Sequence, residues 1–158
     1  MNPMLCAMTC AVLLLALPVY GQDRSADANM QILRDEIRID KRAVVAANMD
    51  LSETEARVFW PIYDQYQNDL RIINDRLATA IVNYADAYNA GPIPDATAKR
   101  LLDESIALDD SEVRLRREYA ARLSRAIPAA KAARYMQIEG KMRAAIRYEL
   151  AANIPLIE

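Results

Sequence analysis

The side chains available for chemistry in this chain are carboxylates, basic groups, hydroxyls and phenols, because the sequence contains no histidine. Its two cysteines, Cys6 and Cys10, both lie in an apolar N-terminal stretch. Histidine is the commonest general base, and histidine and cysteine are the usual ligands of zinc and copper. We therefore predict no catalytic residue, no cofactor and no metal site, and we expect that the protein is not an enzyme.

A protein without such groups can act by binding, which requires exposed apolar area bordered by polar side chains. Trp60 lies about 100° around its helix from the apolar stripe and is the best candidate for such a surface. Tyr63 and Met49 would add adaptable apolar contacts. Arg114 and Arg117 belong to a basic cluster that would border them. We expect protein partners and no nucleic acid, because the pI is near 5.3.

The N-terminal stretch predicts export. Residues 5–17 are thirteen residues without a charge, which suits a signal peptide and is short for a membrane span. We expect cleavage after Gly21, so that residues 1–21 are a signal peptide and residues 22–158 form a single all-helical domain. An uncleaved anchor remains an alternative, because no basic residue precedes the apolar stretch. The expected location is the periplasm, with no stable membrane insertion after cleavage.

Helices must position the remaining residues, because good helix formers abound and there are only 3 glycines. A first helix is predicted over residues 27–47. Ser52 and Glu55 form the S-x-x-E capping box that begins a second helix. Its apolar positions recur at helical spacing over residues 59–88, as in a heptad seam. Pro61 lies inside this helix and predicts a kink, and hence a curved helix.

The segment Gly-Pro-Ile-Pro ends the second helix. A third helix is predicted over residues 95–126, where Glu112 and Arg116 have the spacing of an ion pair within one helix. It matches the second helix in length, so the two should form an antiparallel hairpin. A fourth helix is predicted over residues 128–152, with an apolar tail, residues 154–157, folding back onto the bundle. The predicted fold class is all-α, with four helices and a long hairpin.

Two of the helix starts are alike in sequence. Each has an aliphatic residue, then a cap or first-turn residue, then a polar residue three positions on: Leu51, Ser52 and Glu55; Ile127, Pro128 and Lys131. This pattern resembles the twice-repeated L-T-x-x-Q motif of the Spy/CpxP family of small periplasmic helical proteins. Glutamate and lysine stand here where the family has glutamine. The resemblance covers roughly residues 27–150 in helix order and size.

Membership of that family implies a curved helical hairpin that pairs into a homodimer. Its members act as ATP-independent chaperones, as envelope-stress regulators that bind a sensor kinase, or as metal-responsive proteins. The metal-responsive branch relies on histidine-rich sequence, and this chain has no histidine. That role is therefore not carried over.

Three functions remain open at this point. The first is a periplasmic chaperone or stress adaptor that binds unfolded or partner proteins, and the second is a dedicated regulatory protein for an envelope sensor. The third is an enzyme, because residues 33–37 with Lys41 are similar to the first helix of exported all-helical chorismate mutases. Basic side chains on an amphipathic helix usually form a solvated face, so we favour a binding function.

Overall fold

The computed structural model describes residues 41–157, which form four helices and no strand. The all-helical prediction is confirmed for this range. The predicted signal peptide and the first helix before residue 41 lie outside the described residues. None of the described helices combines the length and the apolar character needed to cross a membrane. The helices are α1 over residues 41–49, α2 over Glu53–Asn89, α3 over Asp95–Ala126 and α4 over Ala129–Asn153.

Helices α2 and α3 form the predicted antiparallel hairpin. Its turn includes Gly91, whose φ of 115° is a backbone conformation that favours glycine. Successive residues of α2 meet α3 in reverse order, through the pairs Gln65 with Arg122, Asp69 with Tyr119, and Arg76 with Glu104.

The start of α2 is fixed by the capping box that its sequence predicts. Ser52 Oγ accepts a hydrogen bond from the Glu55 amide at 3.3 Å, and Glu55 Oε2 accepts one from the Ser52 amide at 2.7 Å. Two of the backbone donors at this helix start are thus satisfied. The helix then continues without a break through Pro61.

The core lies at the end of the hairpin where α1, the start of α2, the end of α3 and the start of α4 meet. We call this the proximal end, and the end with the Gly91 turn the distal end. Only the first four positions of the α2 seam are buried. The buried apolar residues of the proximal core are Val45, Met49, Phe59, Tyr63, Tyr66, Leu70, Tyr119, Leu123, Ile127, Ala132 and Tyr135.

Candidate functional site

The two helix starts that are alike in sequence touch each other at the proximal end. Lys131 Nζ donates to Glu55 Oε2 at 2.6 Å and to the Asp50 carbonyl at 2.7 Å. The hydrogen bond from Lys131, followed by that from the Ser52 amide, lowers the pKa of Glu55. Because an ammonium group only donates, Lys131 cannot complete a capping box on α4. Its predicted capping role is wrong, and it links α4 to α2 instead.

The aliphatic residues before the two helix starts anchor them to the core. Ile127 is buried, and Leu51 packs against the same cluster while half-buried. Pro128 precedes α4, and its carbonyl accepts from the amides of Lys131 and Ala132 at 2.9 and 3.0 Å. Pro128 therefore begins α4 through its backbone, without the side-chain cap that Ser52 provides for α2.

Trp60 and Tyr63 belong to an aromatic cluster in the proximal core. Their ring centroids are 5.3 Å apart and edge to face, and those of Phe59 and Tyr135 are 5.2 Å apart in the same arrangement. The Arg42 guanidinium of α1 lies 4.1 Å from the Trp60 ring centroid. Such a cation–π contact is worth about 0.5–1 kcal/mol at an exposed site. Trp60 is consequently half-buried.

The five residues predicted to bind a partner do not form one exposed surface. Met49 and Tyr63 are 1% and 2% exposed, so they do not provide the exposed apolar contacts that were expected of them. Both lie in the proximal core, where α1 packs on α2. Trp60 is partly covered, whereas Arg114 and Arg117 are exposed on α3. The structure therefore separates the apolar candidates from the basic ones.

A buried polar network that sequence reasoning missed joins α2 to α4. Gln67 Nε2 donates to Tyr135 Oη at 3.1 Å and to Glu139 Oε1 at 2.8 Å. Glu139 is 2% exposed. Burial, followed by the field of the Glu139 carboxylate, raises the pKa of Tyr135. Helical periodicity gave no signal for this network, because it marks apolar faces and does not identify partners on another helix.

Charged side chains also hold α4 against α3. Arg147 Nη2 lies 2.5 Å from both Asp109 Oδ1 and Glu112 Oε2, and Arg143 pairs with the same glutamate. Burial lowers the pKa of Arg143. The expected pairing of Glu112 with Arg116 is therefore replaced by contacts between helices.

Helix α4 is shorter than the hairpin beside it. At about 1.5 Å per residue, the 37 residues of α2 span roughly 55 Å and the 25 residues of α4 span roughly 38 Å. Towards the distal end, a cavity of about 330 Å³ lies between α2 and α3, and we call it the distal groove. Helix α2 lines it with Leu77, Ala80, Ile81 and Tyr84.

The opposite wall of the distal groove extends into an exposed apolar row on α3. Leu102 lines the groove and is 59% exposed. Ile106 and Val113, four and eleven residues further on, are 53% and 42% exposed on the same face. The lining residues from α3 are Ala98, Leu101, Leu102, Ser105 and Leu108.

The apolar tail after α4 folds back onto the bundle, as predicted. The Tyr84 hydroxyl donates to the Pro155 carbonyl at 2.7 Å. Ile154 and Ile157 line the distal groove, whereas Leu156 is 87% exposed and does not line it. The tail thus contributes two apolar side chains, three residues apart, and a backbone acceptor to one end of the groove.

Over residues 41–157, no group of three or more potential ligands among aspartate, glutamate, histidine and cysteine is placed to hold a metal ion. The sequence 33–37, on which the chorismate mutase hypothesis rests, lies outside the described residues. No protein-family model, no curated protein and no solved structure matches the chain.

Proposed function

We propose that this chain is an exported periplasmic protein that binds apolar segments of other proteins without ATP, as a chaperone or as an envelope-stress adaptor. It acts by binding rather than by catalysis. The observation that carries the proposal is the distal groove with the exposed apolar row that continues from it on α3. Contiguous exposed apolar area of this kind is typical of protein-interaction sites.

The size of the apolar row suits reversible binding. Full burial of one aliphatic side chain is worth about 1.5–3 kcal/mol, and Leu102 and Ile106 are each more than half exposed. Association and ordering of the bound segment offset much of that gain. A client is therefore held weakly enough to leave without an energy source, as an ATP-independent chaperone requires.

The resemblance to the Spy/CpxP family supports the same proposal. It rests on the helix order and on the two similar helix starts, which contact each other through Lys131 and Glu55. The proposal includes the curved hairpin and the homodimer that the family implies. A homodimer would present two distal grooves to one client, which increases the affinity for a client that reaches both.

The test measures light scattering from a denatured client protein that is diluted into buffer with the mature protein and without ATP. We expect suppression of aggregation by the wild type. Leu102→Glu should raise the concentration of this protein that halves client aggregation by about threefold, because a client contact would desolvate the new carboxylate. Ile72→Glu is the matched control, since Ile72 is 65% exposed on α2 and does not line the groove.

Two results would count against this proposal. Absence of suppression by the wild type at several-fold excess contradicts a general chaperone. An equal loss in Leu102→Glu and Ile72→Glu shows that the distal groove is not the surface that acts.

A dedicated regulatory role toward one envelope partner is the second candidate, and it would use the same groove. Its volume of about 330 Å³ lies at the lower end of the roughly 300–1,000 Å³ that is usual for ligand pockets. A site of this size accommodates a few apolar side chains of a bound segment in either case. Binding to several unrelated denatured proteins favours the chaperone, and a single tight partner favours the regulator.

A further inference from the structure

We infer that the distal groove recognises an extended aliphatic peptide segment, and that the chain's own tail, residues 154–157, competes with partner segments for it. The inference rests on the proposed function, for which it specifies the site and the class of ligand. The tail forms part of the groove wall, and a partner segment would take the place of Ile154 and Ile157 there.

The tail has the form of such a ligand. Ile154 follows the end of α4 with extended backbone, at φ −93° and ψ 116°. Pro155 cannot donate a backbone hydrogen bond and does not continue the helix. Its carbonyl accepts from Tyr84, while Ile154 and Ile157 line the groove. One backbone hydrogen bond and two apolar side chains, three residues apart, therefore seat this segment against the groove, and an extended segment of a partner would make contacts of the same kind.

The tail covers one end of the groove and leaves the rest open. Ile157 remains 47% exposed and Leu156 87% exposed, so the docked segment buries little apolar area. The cavity of about 330 Å³ is present with the tail in place. A longer aliphatic segment would therefore bury more surface than the tail does. The tail competes in spite of this, because a short tether keeps it at an effective concentration in the millimolar range.

The exposed row on α3 indicates how a partner segment could make more apolar contacts than the tail does. Leu102 borders the groove, and Ile106 extends the apolar surface beyond it along α3. The tail residues Ile154 and Ile157 line the groove itself. A partner segment that enters the groove and continues along this row would combine the contacts of the tail with new ones.

The test uses a dye-labelled peptide with the sequence of residues 153–157, blocked at both ends, and measures its binding by fluorescence anisotropy. The proteins are the full-length mature chain and its variants Ile157→Asp and Leu156→Asp. Ile157→Asp removes a lining side chain and should release the tail. We therefore expect the peptide to bind the Ile157→Asp variant about fivefold more tightly than it binds the wild type.

Leu156→Asp is the matched control, because it places the same charge one position away on a side chain that does not line the groove. We expect its affinity for the peptide to equal that of the wild type. Equal affinities in all three proteins, or an equal gain in both variants, overturn the inference. The double variant Ile154→Asp with Ile157→Asp should show a larger gain, with circular dichroism confirming that α4 is intact.

The same samples separate this inference from the proposed function. If the wild type suppresses aggregation but Ile157→Asp binds the peptide no more tightly, the inference fails and the proposed function stands. If no protein suppresses aggregation but Ile157→Asp gains peptide affinity, the chaperone proposal fails and the inference stands. If the Ile157→Asp variant forms a larger oligomer in solution than the wild type and does not bind the peptide, a second copy occupies the groove and the inference is overturned.

Discussion

Glu55 stabilises two different connections at the start of α2. Its carboxylate accepts the Ser52 amide within the capping box and binds Lys131 of α4. The first contact was predictable from sequence, because it spans three residues and has a known pattern. The second joins residues 76 positions apart. No local pattern reports such a contact, so the similarity of the two helix starts did not reveal that they touch.

The lowered pKa of Glu55 predicts a pH-dependent contribution to stability. The charged carboxylate stabilises the folded state above the reference pKa of 4.5, and this contribution is lost as the pH falls below 4.5 through the folded pKa. Denaturant unfolding should show wild type more stable than Glu55→Gln near neutral pH, with a smaller difference at about pH 3. Glutamine keeps an oxygen for the Ser52 amide, so the comparison isolates the charge.

Glu53→Gln is the control for this measurement. Glu53 lies in the same helical turn, and its carboxylate is 92% exposed at 3.5 Å from Arg57. An exposed pair of this kind contributes little to stability. A Glu55→Gln difference that stays constant between the two pH values would contradict the assigned role of Lys131.

Trp60 shows why sequence reasoning did not foresee which of the predicted binding residues are covered. Its position off the main stripe was predicted from helical geometry. Its exposure depends on Arg42, which reaches over the indole ring from α1. Tyr63 and Met49 are buried because α1 packs on this face of α2. Periodicity identifies the face of a helix, and tertiary packing decides which faces are covered.

At the scale of the helices, local signals predicted most boundaries within one or two residues. Helix α3 begins and ends where its pattern predicts, and α4 begins one residue after Pro128. The first helix extends to Met49, two residues beyond the predicted end. Capping residues and helix breakers act over a few positions, which explains this agreement. Glu112 illustrates the limit, since its guanidinium partners lie on α4.

Replacing each of the two described glycines by alanine should change the stability of the protein in opposite directions. Gly91→Ala should destabilise the hairpin by about 1–2 kcal/mol, because its φ of 115° is strained for any residue with a side chain. Gly140→Ala should stabilise α4 by about 0.5–1 kcal/mol, because its new methyl group would meet no atom within 4 Å.

Thermal or urea unfolding of both glycine variants measures these effects. Each variant serves as the control for the other, because the chemical change is the same methyl group. A gain in stability for Gly91→Ala would show that the turn does not hold this backbone conformation in solution.

At the scale of the whole described region, the fold class was predictable and the candidate site was not. The hairpin follows from two long apolar patterns and one strong helix breaker. The distal groove depends on α4 ending at Asn153, before it covers the end of a longer hairpin. The difference in helix length is visible in the sequence, and the two-residue connection between Ala126 and Ala129 fixes where α4 starts, but the contacts of Arg143 and Arg147 that hold it along α3 are not visible there. Those contacts are long-range and have no local signature.

We expect the mature protein to sediment as a homodimer. Exposed apolar side chains outside the row on α3, such as Val82 and Ile146, would provide surface for a second copy. The full chain of 158 residues has a mass of 17.8 kDa, and sedimentation equilibrium should give twice the mass of the mature chain. A dilution series distinguishes a stable dimer from a weak one. A monomer mass at all concentrations would contradict the dimer that the family resemblance implies.

The concentration of buried aromatic residues at the proximal end gives the two ends of the hairpin different local stabilities. Opening of the distal end breaks few buried contacts, whereas opening around Tyr66 and Tyr119 requires the loss of the whole core. Backbone amides near Gly91 should therefore exchange with deuterium through partial opening, and those near Tyr66 only through global unfolding. The proximal core would thus keep the molecule folded during partial opening of the distal end.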